Sequence, residues 1–305
     1  MSNTLLTKVK SKLFIASRKK ALHILEGEFK SLSFGRSVDF EDLREYQQGD
    51  EIKDIDWKAT ARSDKTLVRR YISSKRHNVM FVVDTGINSR AVTDSLEPKY
   101  QISILVAGIL GYLSIKHSDN VCAILGDENQ TRVVGAKSTE AHLERILEAV
   151  QTLSMQPDSA RSDIMHQLNL VADSYRSRMI LVVVADDFTP TADNLVTLRM
   201  LASKHDVLWI SVSDADPFKL AQQNVKSFDV QDGYEVPEFV IRNKELSQNF
   251  YESENERKDQ MRFALDGLGI PHVEMDGSDA VISRLIALLE RRKRGLRQHR
   301  ASRAV

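Results

Sequence analysis

Two short apolar runs, each followed at once by a carboxylate, limit the possible folds of this chain more than any other feature. They read NVMFVVD at 78–84 and MILVVVADD at 179–187. Nearly continuous apolar runs of this length are typical of strands buried on both faces, as in a parallel sheet. Further strands are expected at 121–125, 131–135 and 206–214, and helices at 97–117, 138–153, 162–175, 191–203, 244–268 and 278–293, with a short segment at 270–275 before the last helix. Because strands alternate with helices, the sequence predicts an α/β fold with a doubly wound, mostly parallel sheet.

The same pattern divides the chain into three segments. A charged amphipathic helix at 4–25 and an irregular stretch after it form an N-terminal extension, which we place at 1–75. The α/β domain then occupies 76–293, and a basic tail follows at 294–305. The longest apolar stretch, 102–115, is shorter than the about 20 residues that a membrane-spanning helix needs. We therefore interpret this stretch as a buried helix.

The balance of charge argues against a general nucleic-acid or membrane binder. The chain has 43 basic and 43 acidic side chains, which cancel. Cys122 is the only cysteine, so the sequence supports neither an internal disulfide nor a cysteine-based zinc site, and it fits a reducing compartment. Lys and Arg interrupt the apolar runs at 1–20, which is not the pattern of a secretory signal. We therefore expect a cytoplasmic protein without a transmembrane segment and without a nucleic-acid partner.

The carboxylates at the strand ends are candidates for a binding site. Ligands of open α/β sheets bind beyond the carboxyl ends of the strands, so Asp84 and the pair Asp186 and Asp187 would share one edge if their strands are neighbours. Together with the segments 84–90 and 159–163 they offer carboxylate, amide and hydroxyl oxygens, which suit Mg²⁺. Alternatively, these Asp residues only cap the next helix or turn the chain. Both interpretations stay open for Asp84, whereas capping is favoured for Asp186.

A dense charged and aromatic stretch precedes the first buried strand. It reads DFEDLREYQQGDEIKDIDWKATAR at 39–62, and VVDTGINS follows at 82–89. In residue types and order these segments resemble the domain-of-unknown-function 58 family, whose members carry a von Willebrand factor A-like domain. The signature residues are Phe40, Leu43, Arg44, Glu45, Tyr46, Gly49, Asp50, Ile55, Asp56, Trp57, Ala61 and Arg62. The resemblance covers roughly residues 30–295 and implies an A-like fold with an N-terminal helix and an irregular extension.

The resemblance also implies a degenerate metal-ion-dependent adhesion site. In A domains such a site takes an Asp-x-Ser-x-Ser motif after the first strand, a Thr from a second loop and an Asp from a third. Asp84 matches the leading Asp, and the other positions are held here by Gly86, Asn88, Ser162 and Asp187. Gly86 has no side-chain ligand, and Asn88 replaces a hydroxyl by an amide. The site therefore either binds Mg²⁺ weakly or serves as a protein-binding surface without metal.

A partner and a role follow from the resemblance as well. Members of the family are associated with MoxR-type AAA+ ATPases. We therefore expect a non-enzymatic adaptor or co-chaperone that acts in the assembly or maturation of other proteins. The chain has no Walker A pattern, so ATP hydrolysis would belong to the partner.

Two enzymatic alternatives have less support in the sequence. A Mg²⁺-dependent phosphotransferase or phosphatase using Asp84 and Asp187 would usually need a second acid two residues after the nucleophile, and Gly86 stands there. A nuclease built on GDEIK at 49–53 would use residues that the family signature already explains. We therefore predict no catalytic residues.

The signature stretch has two interpretations. Trp57, Tyr46 and Ile55 can bury apolar area and anchor a segment without regular secondary structure. Its charged side chains can pair with each other and with backbone groups; they include Arg44, Asp50, Asp56 and Arg62. Either the stretch is an internally bonded support for the sheet edge or it is a surface that docks a partner, and both can hold.

Overall fold

A six-stranded sheet and a separate two-stranded sheet are found in the described part of the chain. The computed structural model describes residues 4–14, 19–34, 40–50, 52–71, 76–186, 188–223, 225–231 and 233–301. The strands are β1 Phe40–Glu45, β2 Leu67–Tyr71, β3 Asn78–Asp84, β4 Asn120–Gly126, β5 Thr131–Lys137, β6 Ile180–Ala185, β7 Asp206–Val212 and β8 His272–Met275. The helices are α1 Leu5–Phe14, α2 Lys19–Phe34, α3 Trp57–Thr60, α4 Lys99–Lys116, α5 Glu140–Ser154, α6 Ile164–Ser174, α7 Ala192–Lys204, α8 Pro217–Gln222, α9 Glu238–Arg242, α10 Lys244–Gly267 and α11 Val281–Ala301.

The large sheet confirms the predicted fold class. Its strand order is β5-β4-β3-β6-β7-β8, and all neighbours are parallel except β5, which runs antiparallel to β4. β3 comes first along the chain among the strands of this sheet and lies in its middle. The chain then adds β4 and β5 on one side of β3 and β6, β7 and β8 on the other. In doubly wound sheets the point where the strand order reverses is where ligands bind. Here that point lies between β3 and β6.

Alternating side chains of the strands build a core on each face of the sheet. Val79, Phe81 and Val83 of β3 face a cluster that α1, α2, α4, α5 and α11 complete. Met80 and Val82 face a second cluster with α6, α7 and α10. Most of α4 is buried, which confirms the interpretation of its long apolar stretch as a buried helix. No helix among the described residues is both long and apolar enough to cross a membrane.

The N-terminal segment forms two helices where the sequence predicts one helix at 4–25. They are α1 and α2, and residues 15–18 between them lie outside the described residues. Their apolar faces are fully or almost fully buried in the first cluster, through Leu6, Val9, Leu13, Leu25 and Phe29. α1 packs on α4 and α5, and α2 packs on α11. The predicted boundaries at 75 and 293 stay predictions, but the two N-terminal helices share the core of the α/β domain.

The first turn of α1 is fixed by a carboxylate from α5. The backbone N–H groups of Leu5 and Leu6 donate to Oε1 and Oε2 of Glu144, both at 2.8 Å. The first N–H groups of a helix have no partner within the helix, and the helix dipole favours a negative charge beside them. Glu144 therefore ties α1 to the α/β domain.

Replacing Glu144 by Gln should lower the free energy of unfolding by about 1 kcal/mol, because one acceptor oxygen and the favourable charge are both lost. Chemical unfolding in urea measures the change. Glu148→Gln, on an exposed position of the same helix, should leave stability unchanged. An equal loss in both variants would show that helix propensity, rather than the contact with α1, is responsible.

The stretch before the sheet is more regular than the sequence indicates. β1 and β2 pair antiparallel, with the short helix α3 between them, and their contacts are chiefly with one another. Gly49 has a φ of +110°, which explains why glycine stands in the tight turn after β1. The prediction of an irregular extension is therefore wrong for this part. Charged residues fill most of β1, so the alternation that identifies a half-buried strand is missing.

Two further differences concern the C-terminal half. The segment between β7 and α10, for which the sequence predicts no helix, contains α8 and α9. α11 continues to Ala301, so most of the predicted basic tail is helical, and residues 302–305 lie outside the described residues.

At the end of the sheet, arginines of α11 contact the outer side of β8. Arg284 Nη1 donates to the carbonyl oxygen of Glu274 at 2.8 Å, and Arg291 Nη1 donates to that of His272 at 3.3 Å. The carbonyls that a further strand would use are thus occupied by side chains of the same chain.

Candidate functional site

Three carboxylates and one ammonium group meet at the carboxyl edge of the sheet. Asp84 ends β3, Asp186 follows β6 and Asp214 lies beyond β7. Lys99, the first residue of α4, places its ammonium between the last two. The predicted sharing of one edge by Asp84 and Asp186 is confirmed, because β3 and β6 are neighbours. Lys99 and Asp214 were not predicted from the sequence.

Lys99 is buried, with only 3% of its side chain exposed. Its Nζ lies 2.8 Å from Oδ1 of Asp186 and 2.9 Å from Oδ1 of Asp214. Burial alone would lower the pKa of the Lys99 ammonium, but the two carboxylates raise it above its usual value. The lysine is therefore a fixed positive charge at the centre of this edge.

Asp84 is buried beside this cation, with 6% of the residue exposed. Burial raises the pKa of its carboxyl group to about 6, although the backbone N–H of Gly86 and the Ser162 hydroxyl act in the opposite direction. The Gly86 N–H donates to Asp84 Oδ1 at 2.9 Å. Asp84 is thus a carboxylate whose charge the fold stabilises only in part.

The loop 159–163 packs against the turn that follows β3. The backbone of Ala160 makes two hydrogen bonds. Its carbonyl oxygen accepts from the Ile87 N–H at 2.9 Å, and its N–H donates to Asp127 Oδ2 at 3.1 Å. Arg90 donates to the Ser154 carbonyl and to the Ser159 hydroxyl, at 2.8 and 3.0 Å. These bonds fix the loop 159–163 against the turn after β3.

Gly86 is where the two loops touch. A Cβ atom added there would lie 2.7 Å from Cα, N and Oγ of Ser162. The φ of Gly86 is an ordinary −66°, so glycine is required for space and not for backbone conformation. The Ser162 Oγ is buried and makes no hydrogen bond of ordinary geometry with the described residues. The close approach of the two loops therefore depends on the missing side chain.

Asn88 is bound at both ends of its amide. Its Nδ2 donates to Asp186 Oδ2 at 3.3 Å, and its Oδ1 accepts from Gln231 Nε2 at 3.3 Å. Gln231 belongs to a turn that folds over the edge, where Val236 N donates to the Ser227 carbonyl at 2.9 Å. Asn88 thereby links the sheet edge to this overlying turn.

Two clefts of several hundred Å³ open beside Asn88 among the described residues. One, of about 480 Å³, lies under the turn and is lined by residues that include Arg90, Asp214, Phe228 and Gln231. The other, of about 390 Å³, holds the predicted ligands Asp84, Asn88 and Ser162 together with Asp186. The structure thus brings three of the four predicted ligands to one cleft. The fourth, Asp187, lies outside the described residues, so the predicted pair of Asp84 and Asp187 stays a prediction.

Comparison with known proteins decides the family. Residues 42–260 match the model of the family described as "Protein of unknown function DUF58". The chain is a member of the DUF58 family. Uncharacterized proteins of Mycobacterium bovis and Mycobacterium tuberculosis are 23% identical over 284 residues, which is 93% of this chain and 88% of theirs.

Solved structures that match this DUF58 chain include two of distant sequence. The conserved hypothetical protein BatB from Bacteroides thetaiotaomicron is 14% identical with a TM-score of 0.43, over 72% of this chain and 99% of that one. A von Willebrand factor type A protein from Catenulispora acidiphila is 10% identical with a TM-score of 0.40, over 71% of this chain and 42% of that one.

Three of the charged DUF58 signature residues, Arg44, Asp50 and Asp56, bond within the hairpin as predicted. Arg44 Nη2 lies 2.5 Å from Asp50 Oδ1, and Glu45 pairs with Lys65. Asp56 caps α3, where its Oδ1 accepts from Lys58 N at 3.0 Å and from Ala59 N at 3.1 Å. Arg62, by contrast, is exposed. The hairpin is thus held together by its own ion pairs and caps.

The aromatic DUF58 signature residues behave differently from the prediction. Trp57 is 64% exposed and Tyr46 is 40% exposed, so the expectation that they bury apolar area is wrong. Ile55 is half-buried and pairs with Val68. Because α3 has only four residues and the hairpin contacts chiefly itself, no surface among the described residues covers the indole ring. Ile52, beside them, is 69% exposed.

Proposed function

We propose that this DUF58 protein is a non-enzymatic protein-interaction module, an adaptor or co-chaperone of a MoxR-type AAA+ ATPase in the assembly or maturation of other proteins. The observation that carries the proposal is the exposure of Trp57, Ile52 and Tyr46 on the signature hairpin. The proposal includes a cytoplasmic location. It includes no nucleic-acid partner, in keeping with the balanced charge of the chain.

Exposed apolar anchors on a bonded scaffold suit partner binding. Trp and Tyr are enriched among the residues that contribute most to protein interfaces, because they bury a large area with few rotatable bonds. The Arg44 and Asp50 pair and the Asp56 cap hold the backbone that presents Trp57. Little conformational entropy would then be lost on binding. The hairpin therefore has the properties of a docking surface for the ATPase.

The described nucleophile candidates favour this proposal over catalysis. Burial raises the pKa of the Cys122 thiol to about 12, so the reactive thiolate is not formed near neutral pH. Asp84 has Gly86 two residues later, where a phosphotransferase of the predicted type needs a second acid. The phosphatase alternative thus gains no support from the described residues.

Replacing Trp57 by Ala should weaken binding to a purified MoxR-type ATPase from the same organism by about tenfold, because a central aromatic anchor is removed. The melting temperature should not change, since the side chain is mostly exposed. Biolayer interferometry with the immobilised DUF58 protein measures the affinity.

Phe263→Ala is the matched control, because Phe263 is also a mostly exposed aromatic residue, 82% against 64% for Trp57, and lies on α10. It should bind the ATPase like the natural protein. Equal affinity of the Trp57 variant and the natural protein would remove the docking role from the hairpin. No binding by any of the three proteins would remove the ATPase from the proposal.

A further inference from the structure

The metal ion that an A-like domain implies at this edge does not fit the residues present, and we infer that the Lys99 ammonium is the permanent cation in its place. The inference goes beyond the proposed function and does not depend on the identity of any partner. It concerns the positive charge that the carboxylates at this edge of the sheet contact. Three features of the described residues carry it.

The first feature is the lack of room for a ligand at position 86. An A-domain metal site takes a serine hydroxyl from this position, and glycine supplies none. A serine could not be introduced without moving backbone, because its Cβ would lie 2.7 Å from Cα and N of Ser162. The loop 159–163, which carries the predicted ligand Ser162, therefore fills the space that a serine side chain at position 86 would need.

The second feature is the state of the amide at position 88. The ligand atom that position 88 could offer to a metal is the Asn88 Oδ1, which accepts a hydrogen bond from Gln231, while the amide nitrogen donates to Asp186. Both polar atoms of Asn88 thus serve contacts within the protein. Among the described residues no group of three His, Cys, Asp or Glu side chains is arranged to hold a metal.

The third feature is the position of the lysine itself. Its ammonium contacts Asp186 at 2.8 Å and Asp214 at 2.9 Å, so it supplies positive charge to two of the three carboxylates that meet at this edge. A divalent cation bound to Asp186 would stand beside this ammonium, and like charges repel strongly where water is excluded. The Lys99 pKa, which the two carboxylates raise, keeps the charge in place over the physiological pH range.

The ammonium also differs from a metal in what it can bind. A metal in such a site can accept a further carboxylate from a partner protein. The Lys99 side chain is only 3% exposed, and two carboxylates of its own chain already contact it. It therefore offsets part of the negative charge of the edge from inside and offers no open position to a partner's carboxylate.

Binding of Mn²⁺ tests the inference, because Mn²⁺ takes the same oxygen ligands as Mg²⁺ and is measured directly by electron paramagnetic resonance. The proteins are the natural chain, Lys99→Met, and Lys116→Met as a control. Lys116 pairs with Glu26 at 2.6 Å, on an exposed surface far along α4. The melting temperature of each protein is recorded in millimolar Mn²⁺ and in EDTA.

We expect the natural protein and Lys116→Met to bind no Mn²⁺ and to melt at the same temperature in both solutions. Lys99→Met should melt lower in EDTA and recover several degrees in Mn²⁺, because its carboxylates have lost their cation. If Lys99→Met does not fold in EDTA, folding in Mn²⁺ supports the inference and failure to fold in Mn²⁺ overturns it.

Two other results would overturn the inference. One is Mn²⁺ binding by the natural protein that is lost in Asp84→Ala, which would establish a working metal site. The other is a folded Lys99→Met protein that gains no response to Mn²⁺. Neither result depends on an ATPase, so failure here is distinguishable from failure of the proposed function.

Discussion

Replacing Asp84 by Asn is expected to make the protein more stable above pH 6, by up to about 3 kcal/mol in the free energy of unfolding. Burial raises the pKa of the Asp84 carboxyl to about 6, from 3.8 in the unfolded chain. Above pH 6 the natural protein must hold this group ionised in a buried place. Asn keeps an oxygen that can accept from the Gly86 N–H but carries no charge.

The sign of the pH dependence follows from proton binding. Between about pH 4 and pH 6 the folded state binds the Asp84 proton and the unfolded state does not, so the stability that this group contributes falls as the pH rises. Below pH 4 both states are protonated, and the variant should lose its advantage. Urea unfolding of both proteins at pH 4, 6 and 8 measures the difference.

Asp158→Asn is the control for this experiment, because Asp158 lies exposed in the turn after α5. Its stability should follow that of the natural protein at every pH. A loss of stability in Asp84→Asn at pH 8 would contradict the prediction, and it would indicate that a bound group compensates the Asp84 charge. A gain that is the same at all pH values would point to packing instead of ionisation.

The second large effect is expected from Gly86→Ser, which restores the serine of the A-domain motif. The variant should lose about 1–3 kcal/mol of unfolding free energy, as overpacked cores do, and should gain no affinity for Mg²⁺. The cause is the distance of 2.7 Å between an added Cβ and the Cα, N and Oγ of Ser162. Urea unfolding and isothermal titration calorimetry measure the two quantities.

A second substitution separates the sources of this clash. Ser162→Gly in the same chain removes Oγ but leaves Cα and N in place, so it should restore only part of the stability. Gly27→Ser is the matched control, because nothing lies within 4 Å of a Cβ added at Gly27. Full recovery in the double variant would show that the loop 159–163 can move away, and the argument from space would fail.

The sequence predicts the centre of the α/β sheet well because the strands there, β3, β4, β6 and β7, are unusually apolar. The runs at 78–84 and 179–187 have few polar residues and are short, which is typical of strands buried on both faces. The signature hairpin was missed for the opposite reason. Four of the six residues of β1 are charged, so its sequence has no alternation of apolar and polar residues to detect.

The site could be predicted only where a single strand end defines it. Asp84 and Asp186 follow apolar runs, so their meeting at one edge could be inferred once the strands were taken as neighbours. Asp214 follows a strand in the same way and could have been included. Lys99 shows a weaker signal, since α4 contains no charged residue between Lys99 and Lys116. Its contacts depend on the crossing of α4 over the sheet, which the local sequence does not specify.

The arginine contacts on β8 have a consequence for how copies of this chain can associate. Open sheet edges are where separate chains add strands to one another and begin to polymerise. At β8 an incoming strand would first have to displace Arg284 and Arg291 from the carbonyls of Glu274 and His272. The displaced guanidinium groups would then lie against the new strand. α11 therefore disfavours the addition of strands from other copies of the chain at this end of the sheet.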